Sequence, residues 1–324
     1  MAKKTVGWGL IGSTSWSDHT FGPAITAAKG AELAAVFSSK RANAAAFCKK
    51  HGVPNGYTDL DAFLADPAVD AVWVAGPTDL HKKQTIAALK AGKHVLCEKP
   101  MAVSAADCAA MVKAGIKARR VLGLGYNNRH SPIFQATQRD WAKGVYGAPV
   151  NVRIHLVLPA GNTQIGWRGY PKRSGGWALG NIGTHLIDVA RWFMGDVDEV
   201  YGHLSNHAWG LKVDDHSLVA MGFKNGASGT IMAGMGRVMG GTGRLELYGT
   251  TGYCIFDGAL FGGGGTMTTS RKGAAPVTKK LSAFNTYQLQ VEAFSRAVRG
   301  DGKFQETALD GLANLKVMEE ARGW

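Results

Sequence analysis

Through its first third the chain sets down short apolar runs, each closed by a glycine or a polar cluster. They are Thr5-Val6-Gly7-Trp8-Gly9-Leu10-Ile11, Glu32-Leu33-Ala34-Ala35-Val36-Phe37, Ala71-Val72-Trp73-Val74-Ala75, Val95-Leu96 and Val121-Leu122-Gly123-Leu124. Runs with little polar alternation suit strands covered on both faces, as in a parallel sheet. Between them the pattern predicts helices over Pro23 to Lys29, Ala42 to His51 and Asp79 to Lys90. Another opens at Thr58-Asp59-Leu60-Asp61, and a further one is capped by Ser104 with Asp107 three residues on. Strand alternating with helix over roughly 120 residues predicts an α/β fold, a Rossmann-like doubly wound parallel sheet.

Beyond Gly125 the texture changes. A helix is expected from Pro132 to about Lys143, then a strand over Val150 to Val157, a polar, glycine-bearing loop over 158–175, and a helix from Trp177 to Met194. From Glu199 to about Thr269, alternating segments separated by glycine turns predict a large, open, mostly antiparallel sheet with one covered face. Gly262 to Gly265 reads as a mobile loop without a function. Two helices, about Thr286 to Arg299 and Thr307 to Arg322, close the chain. The expected division is a dinucleotide-binding domain over 1–125 and an α+β domain for substrate and oligomerisation over 126–324, whose closing helices are free to pack back on the first.

Composition narrows the class. Of 324 residues, 45% are hydrophobic and 19% charged, the balance of an ordinary globular protein, and no apolar run reaches membrane-spanning length. The amino terminus enters the first strand without a signal-like apolar region, so a cytoplasmic protein is expected. Cys48, Cys97, Cys108 and Cys254 form no C-x-x-C pair, which argues against a disulfide framework and a zinc site. His203 and His207 fall in strand territory, where a spacing of four does not make a metal pair. The net charge of +13 is spread over both halves with no recognition motif, which speaks against nucleic acid and for anionic small ligands.

Candidate chemistry gathers where the apolar strands end. After the first strand comes Gly12-Ser13-Thr14-Ser15-Trp16, the place where a pyrophosphate rests on backbone N–H groups. Counted from Gly12, only the first glycine of G-x-G-x-x-G survives, and the hydroxyls of Ser13, Thr14 and Ser15 are the substitute donors. The second strand ends in Ser38-Ser39-Lys40-Arg41, small hydroxyls and bases where an NAD-binding chain carries an acid. That pattern favours NADP(H), with NAD(H) as the second choice. The third gives Gly76-Pro77-Thr78, with His81 one turn on, and the fourth gives Glu98-Lys99-Pro100. An acid and a base at the end of a buried strand are costly outside a site, and Pro100 holds Lys99 in extended backbone.

These motifs, taken with Asn127-Asn128-Arg129, Trp167-Arg168, Ser174-Gly175-Gly176 and His185-Leu186-Ile187-Asp188, resemble the glucose-fructose oxidoreductase/inositol dehydrogenase (Gfo/Idh/MocA) family over essentially the whole chain. The Gly9 to Gly12 opening is most similar to a branch with an NADPH-dependent anhydrosugar reductase. The resemblance implies hydride transfer between nicotinamide and a hydroxyl or ketone carbon of a sugar, anhydrosugar, cyclitol or related polyol. It implies Lys99 and His185 as catalytic residues, with Asn181, Trp167 and Arg168 on the substrate; His155, read as an inward-facing strand position, joins the substrate set. It adds His81, Asn127, Trp167 and Arg168 to the cofactor's surroundings. The open sheet face needs a cover, so a homodimer or homotetramer is expected. The family places Asp four residues before the histidine, and here that position is Asn181. An asparagine binds a hydroxyl but is neither base nor anion. Three readings follow: an altered substrate, catalysis by Lys99 and His185 alone, or a non-catalytic NADP(H)-binding regulator or scaffold.

Overall fold

The structure, a computed structural model, describes residues 5–159, 165–236 and 242–323. Residues 160–164 of the expected 158–175 loop, and the first four residues of the chain, lie outside them. The chain forms two compact units, residues 1–126 with 287–312, and residues 127–286 with 313–324.

The first unit holds β1 (Val6–Ile11), α1 (Gly22–Ala27), β2 (Ala31–Phe37), α2 (Arg41–His51), β3 (Asn55–Tyr57), α3 (Leu60–Ala65), β4 (Ala71–Val74), α4 (Thr78–Lys90), β5 (His94–Cys97), α5 (Ala105–Ala118) and β6 (Leu122–Leu124). The strands lie in the order β3-β2-β1-β4-β5-β6, all parallel. The order reverses between β1 and β4, so a crevice opens beyond the carboxyl ends of these two strands. Every residue of β1 is buried. A Cβ on Gly7 would lie 1.8 Å from the Ala68 carbonyl oxygen and one on Gly9 would lie 2.5 Å from the Phe63 ring, so these glycines set how closely the next layer approaches.

Residues 287–312, which the sequence pattern groups with the later chain, belong to this unit. Val291, Phe294 and Phe304 pack into the cluster of Trp8, Phe21 and Trp73, and the Trp8 indole donates to Ser295 Oγ at 3.0 Å. An amphipathic pattern identifies a helix's buried face but not the core that receives it.

The second unit contains α6 (Pro132–Ala142), β7 (Pro149–Pro159), α7 (Pro171–Ser174), α8 (Thr184–Met194), β8 (Val197–Ser205), β9 (His216–Phe223), β10 (Ser228–Gly236), β11 (Arg244–Gly249), β12 (Gly252–Asp257), β13 (Gly265–Arg271) and β14 (Val277–Leu281). The sheet order is β14-β13-β12-β11-β7-β10-β9-β8, antiparallel except where β7 meets β10. One face buries Val152, Ile154 and Leu156 of β7 with Ile231 and Ala233 of β10, and the segment leading into α8 packs on it. The other face leaves Tyr201, Leu218 and Met232 exposed.

Three local expectations change. The sheet continues past Thr269 into β14. Gly262 to Gly265 is not a free loop: Leu260–Gly262 forms a short helical turn, and Gly262 O accepts the Phe284 N–H at 2.8 Å. The helix expected over 177–194 begins as a wider π turn, Leu179–Gly183, before α8. Such turns insert one residue and recur at functional positions.

Candidate active site

In the first unit the turns after β1 and β4 lie against each other. Gly12 has φ 107°, and a Cβ there would come within 3.2 Å of Ala75 carbonyl and Gly76 amide atoms. Glycine is therefore required by both conformation and space. Thr14 Oγ1 accepts the Ser17 N–H at 3.1 Å, and the Ser17 hydroxyl donates to the Gly12 carbonyl at 2.5 Å. Ser17, which the sequence reading passed over, thus fastens the turn. Ser13 Oγ is buried with no hydrogen-bond partner among the described residues, while Ser15 and Trp16 are exposed. An orphaned hydroxyl beside a glycine turn at the switch point fits a pyrophosphate group.

The neighbouring turns complete the cradle. Thr78 is buried at the first turn of α4, next to Gly76 and Pro77. Ser38 is buried at the end of β2, its N–H bonded to the Tyr57 carbonyl, whereas Ser39, Lys40 and Arg41 are exposed. His81 is buried behind the cradle, with Nδ1 3.0 Å from the Pro100 carbonyl oxygen and Nε2 3.0 Å from that of Gly76. Both ring nitrogens are thus directed at backbone, so His81 ties the Gly76 turn to the Lys99-Pro100 turn rather than reaching outward. Burial pulls its pKa below the ordinary histidine value, against the pull of the carbonyls. Glu98 is buried, accepting the Trp73 indole N–H at 3.1 Å, and a Cβ on Gly125 would collide with its carboxylate at 2.7 Å. Lys99 follows, half-buried, its N–H 3.4 Å from Glu98 Oε2.

In the second unit the helix bearing Asn181 and His185 is fastened at three levels. At its start, Asp214 Oδ1 accepts the Trp177 N–H at 2.8 Å and Oδ2 accepts the Leu179 N–H at 2.6 Å. The Ser217 hydroxyl also donates to this carboxylate, at 2.7 Å. A carboxylate here satisfies amides that the helix leaves open and opposes its positive end. Gly176, at φ 110°, makes room, since a Cβ would stand 2.6 Å from Asp214 Oδ1. Halfway along, Arg129 holds Asp188 through two hydrogen bonds, both side chains being buried. Beside His185, the ring of Phe261 stands 4.7 Å away at 89°. His185 is buried and Asn181 half-buried in the π turn.

The remaining expected residues divide. Arg168 stacks over the Trp167 ring at 4.6 Å, both half-buried. Asn127 is fully buried and donates to Thr286 Oγ1 at 2.7 Å, which makes it part of the frame. His155 does not point inward. It alternates with the buried Val152, Ile154 and Leu156 and pairs with exposed Met232, which puts it on the face opposite the packed helix. Sequence reasoning missed Asp214, Ser17 and Phe261. The Gly175-Gly176 pair was the one available signal, for a crowded helix start.

The cradle and the fastened helix match known families. Residues 6–126 match the model of an oxidoreductase family with an NAD-binding Rossmann fold, GFO_IDH_MocA, and residues 134–255 match the GFO/IDH/MocA C-terminal domain. The chain belongs to the GFO/IDH/MocA oxidoreductase family. Within that family it is 30% identical over 312 residues to 1,5-anhydro-D-fructose reductase of Ensifer adhaerens, covering 95% of this chain and 92% of the relative. It is 29% identical to D-xylose 1-dehydrogenase (NADP(+)) 2 of Haloferax volcanii, over 90% and 88%. Among solved structures, the aldose-aldose oxidoreductase of Caulobacter crescentus, complexed with glycerol, superposes with a TM-score of 0.89 at 26% identity over 98% of both chains. This family member is therefore an NAD(P)-linked dehydrogenase or reductase. Among the described residues no group of three or more His, Cys, Asp or Glu is placed to hold a metal, and no helix is long and apolar enough to cross a membrane.

Proposed function

We propose that the chain interconverts a CH–OH and a C=O carbon of an anhydrosugar, aldose, cyclitol or related polyol, with NADP(H) favoured over NAD(H). The observation that carries the reading is the Glu98-Lys99-Pro100 turn: a buried acid anchored by Trp73, then a lysine at the carboxyl end of β5. When bound, the nicotinamide supplies or accepts the hydride. Gly12 to Trp16, Gly76 to Thr78 and the Glu98 turn hold the dinucleotide. Exposed Lys40 and Arg41, with Ser38 and Ser39, meet a 2′-phosphate. Lys99 hydrogen-bonds the reacting oxygen and offsets its developing charge. His185 gives or takes the proton at an imidazole nitrogen. Asn181, Trp167 and Arg168 orient substrate hydroxyls. A second copy of the chain covers the exposed Tyr201, Leu218 and Met232 face in a homodimer or homotetramer. The four cysteines, not joined in disulfides, accord with work in the cytoplasm.

Asn181, in place of the family's aspartate, favours one other reading, an NADP(H)-binding regulator without turnover. Two measurements separate them. Tryptophan fluorescence is titrated with NADPH and NADH, and turnover is assayed on 1,5-anhydro-D-fructose, D-xylose and myo-inositol for wild type and Lys99→Ala. The enzyme reading expects tighter NADPH binding and turnover of at least one sugar, lost in Lys99→Ala while NADPH still binds. Binding with no turnover on any of them supports the regulator, and wild-type rates in Lys99→Ala refute the assigned mechanism.

A further inference from the structure

Among the described residues only two that are not glycine hold a left-handed backbone, Arg119 at φ 51° and Phe261 at φ 57°. Arg119 is an exposed helix end. For a bulky aromatic residue this conformation is uncommon and needs support from its surroundings. Phe261 is held on both sides: its N–H donates to Asn128 Oδ1 at 2.6 Å, and its carbonyl accepts from Thr286 Oγ1 at 3.5 Å. Thr286 is fixed in turn by the Asn127 amide at 2.7 Å. Its ring is thereby delivered edge-to-face against His185, 4.7 Å between centroids. The next residue in the chain after Asn128 is Arg129, which grips Asp188, three positions beyond His185 on the same helix. Residues 127–129 thus hold the helix that carries the imidazole and the ring that meets it.

We propose that Phe261 is a positioning residue: its ring fixes the plane of the His185 imidazole and excludes water from that side. This rests on the reading that His185 carries the proton. Proton transfer needs a donor and acceptor in one alignment, and an imidazole free to swing loses it. Nothing in the glycine-rich sequence around position 261 announces such a role. The observation behind it is that an unfavourable backbone is maintained by two side chains, Asn128 and Thr286, one on each side of Phe261.

The test compares Phe261→Leu, Phe261→Gly and Phe261→Tyr, each with His185 intact and in a His185→Ala background. NADPH and 1,5-anhydro-D-fructose, and NADP⁺ and D-xylose, are the probes. Phe261→Gly suits the left-handed backbone, so it removes the ring without endangering the turn. With His185 intact, the leucine and glycine variants are expected to lower kcat roughly tenfold or more, with NADPH affinity unchanged and the limb of the pH–kcat profile that reports His185 displaced. Tyrosine restores most of the rate. In the His185→Ala background Phe261→Leu changes nothing further. Equal losses in both backgrounds, or no loss in either, overturn the proposal. Wild-type rates in His185→Ala refute the His185 reading itself, and the positioning role falls with it. If wild type turns over neither sugar, the imidazole resonance of His185, assigned by its absence in His185→Ala, decides. A titration and tautomer signature displaced by Phe261→Leu supports the proposal, and an unchanged one overturns it.

Discussion

Arg129 and Asp188 meet side by side, Nε to Oδ2 at 2.8 Å and Nη2 to Oδ1 at 2.6 Å, and Asn314 Nδ2 adds a third donor to Oδ1 at 2.9 Å. Both side chains are almost wholly buried, so removing one partner strands the other. Arg129→Met is expected to cost about 3–5 kcal/mol, read as a lower urea midpoint and Tm. The double variant Arg129→Met with Asp188→Leu should recover much of that loss. A single variant as stable as wild type would mean that the pair is not buried in solution.

The start of the site helix tolerates little. Gly176→Ala forces a side chain into a left-handed backbone and against Asp214, so a loss above about 1 kcal/mol is expected. Asp214→Ala removes the acceptor for two helix amides and should cost about 0.5–2 kcal/mol. Both effects are read by thermal unfolding. Because the two changes share one contact, their sum should exceed the loss in the double variant.

Lys40 and Arg41 are exposed at the end of the second strand. Replacing both with alanine should weaken NADPH by tenfold or more, on the order of the 1.4 kcal/mol that corresponds to that factor, and leave NADH nearly unchanged. Isothermal titration of both cofactors measures it. Equal losses for the two would remove the 2′-phosphate assignment.

His94 Nδ1 accepts the Val121 N–H at 3.1 Å, a role open only to neutral imidazole. Burial, with Arg120 adding to it, lowers its pKa from 6.5 to about 4. Between those two values the unfolded chain binds more protons than the folded one, so stability rises with pH in that window. The contribution is intact above about pH 6.5, declines as pH falls towards 4, and changes no further below. His94→Asn keeps an acceptor and removes the titration, so its stability should vary less with pH between 4 and 6.5 than that of wild type.

The parallel sheet was legible because Ala71-Val72-Trp73-Val74 and its companions are apolar on both faces. The strand-end motifs were legible because glycine, proline and paired charges interrupt those runs. The site helix was legible as a helix, but not its π turn at Leu179–Gly183, since a one-residue insertion barely alters an apolar stripe. The orientation of His155 was within reach: Arg153 and His155 alternate with Val152, Ile154 and Leu156, and that alternation alone assigns them to the uncovered face. Phe261 and Asp214 were beyond it. Their partners stand 133 positions away at Asn128 and 35 to 37 positions away at Leu179 and Trp177, and no local pattern encodes such contacts. The run Gly262 to Gly265 reads as slack because composition registers freedom, whereas the neighbouring Phe284 carbonyl, 2.3 Å from where a Gly262 Cβ would be, imposes close fit.

Residues 287–312 complete the first unit after some 160 residues devoted to the second. During synthesis, then, the earliest-made strands wait for the last-made helices: Trp8 leaves the ribosome long before Ser295, Phe294 and Phe304 exist to receive it. The unit begun first in sequence is closed only after the other unit's sheet has been made, and a fragment cut after Tyr126 would carry a nucleotide fold without the wall against which its central strand closes.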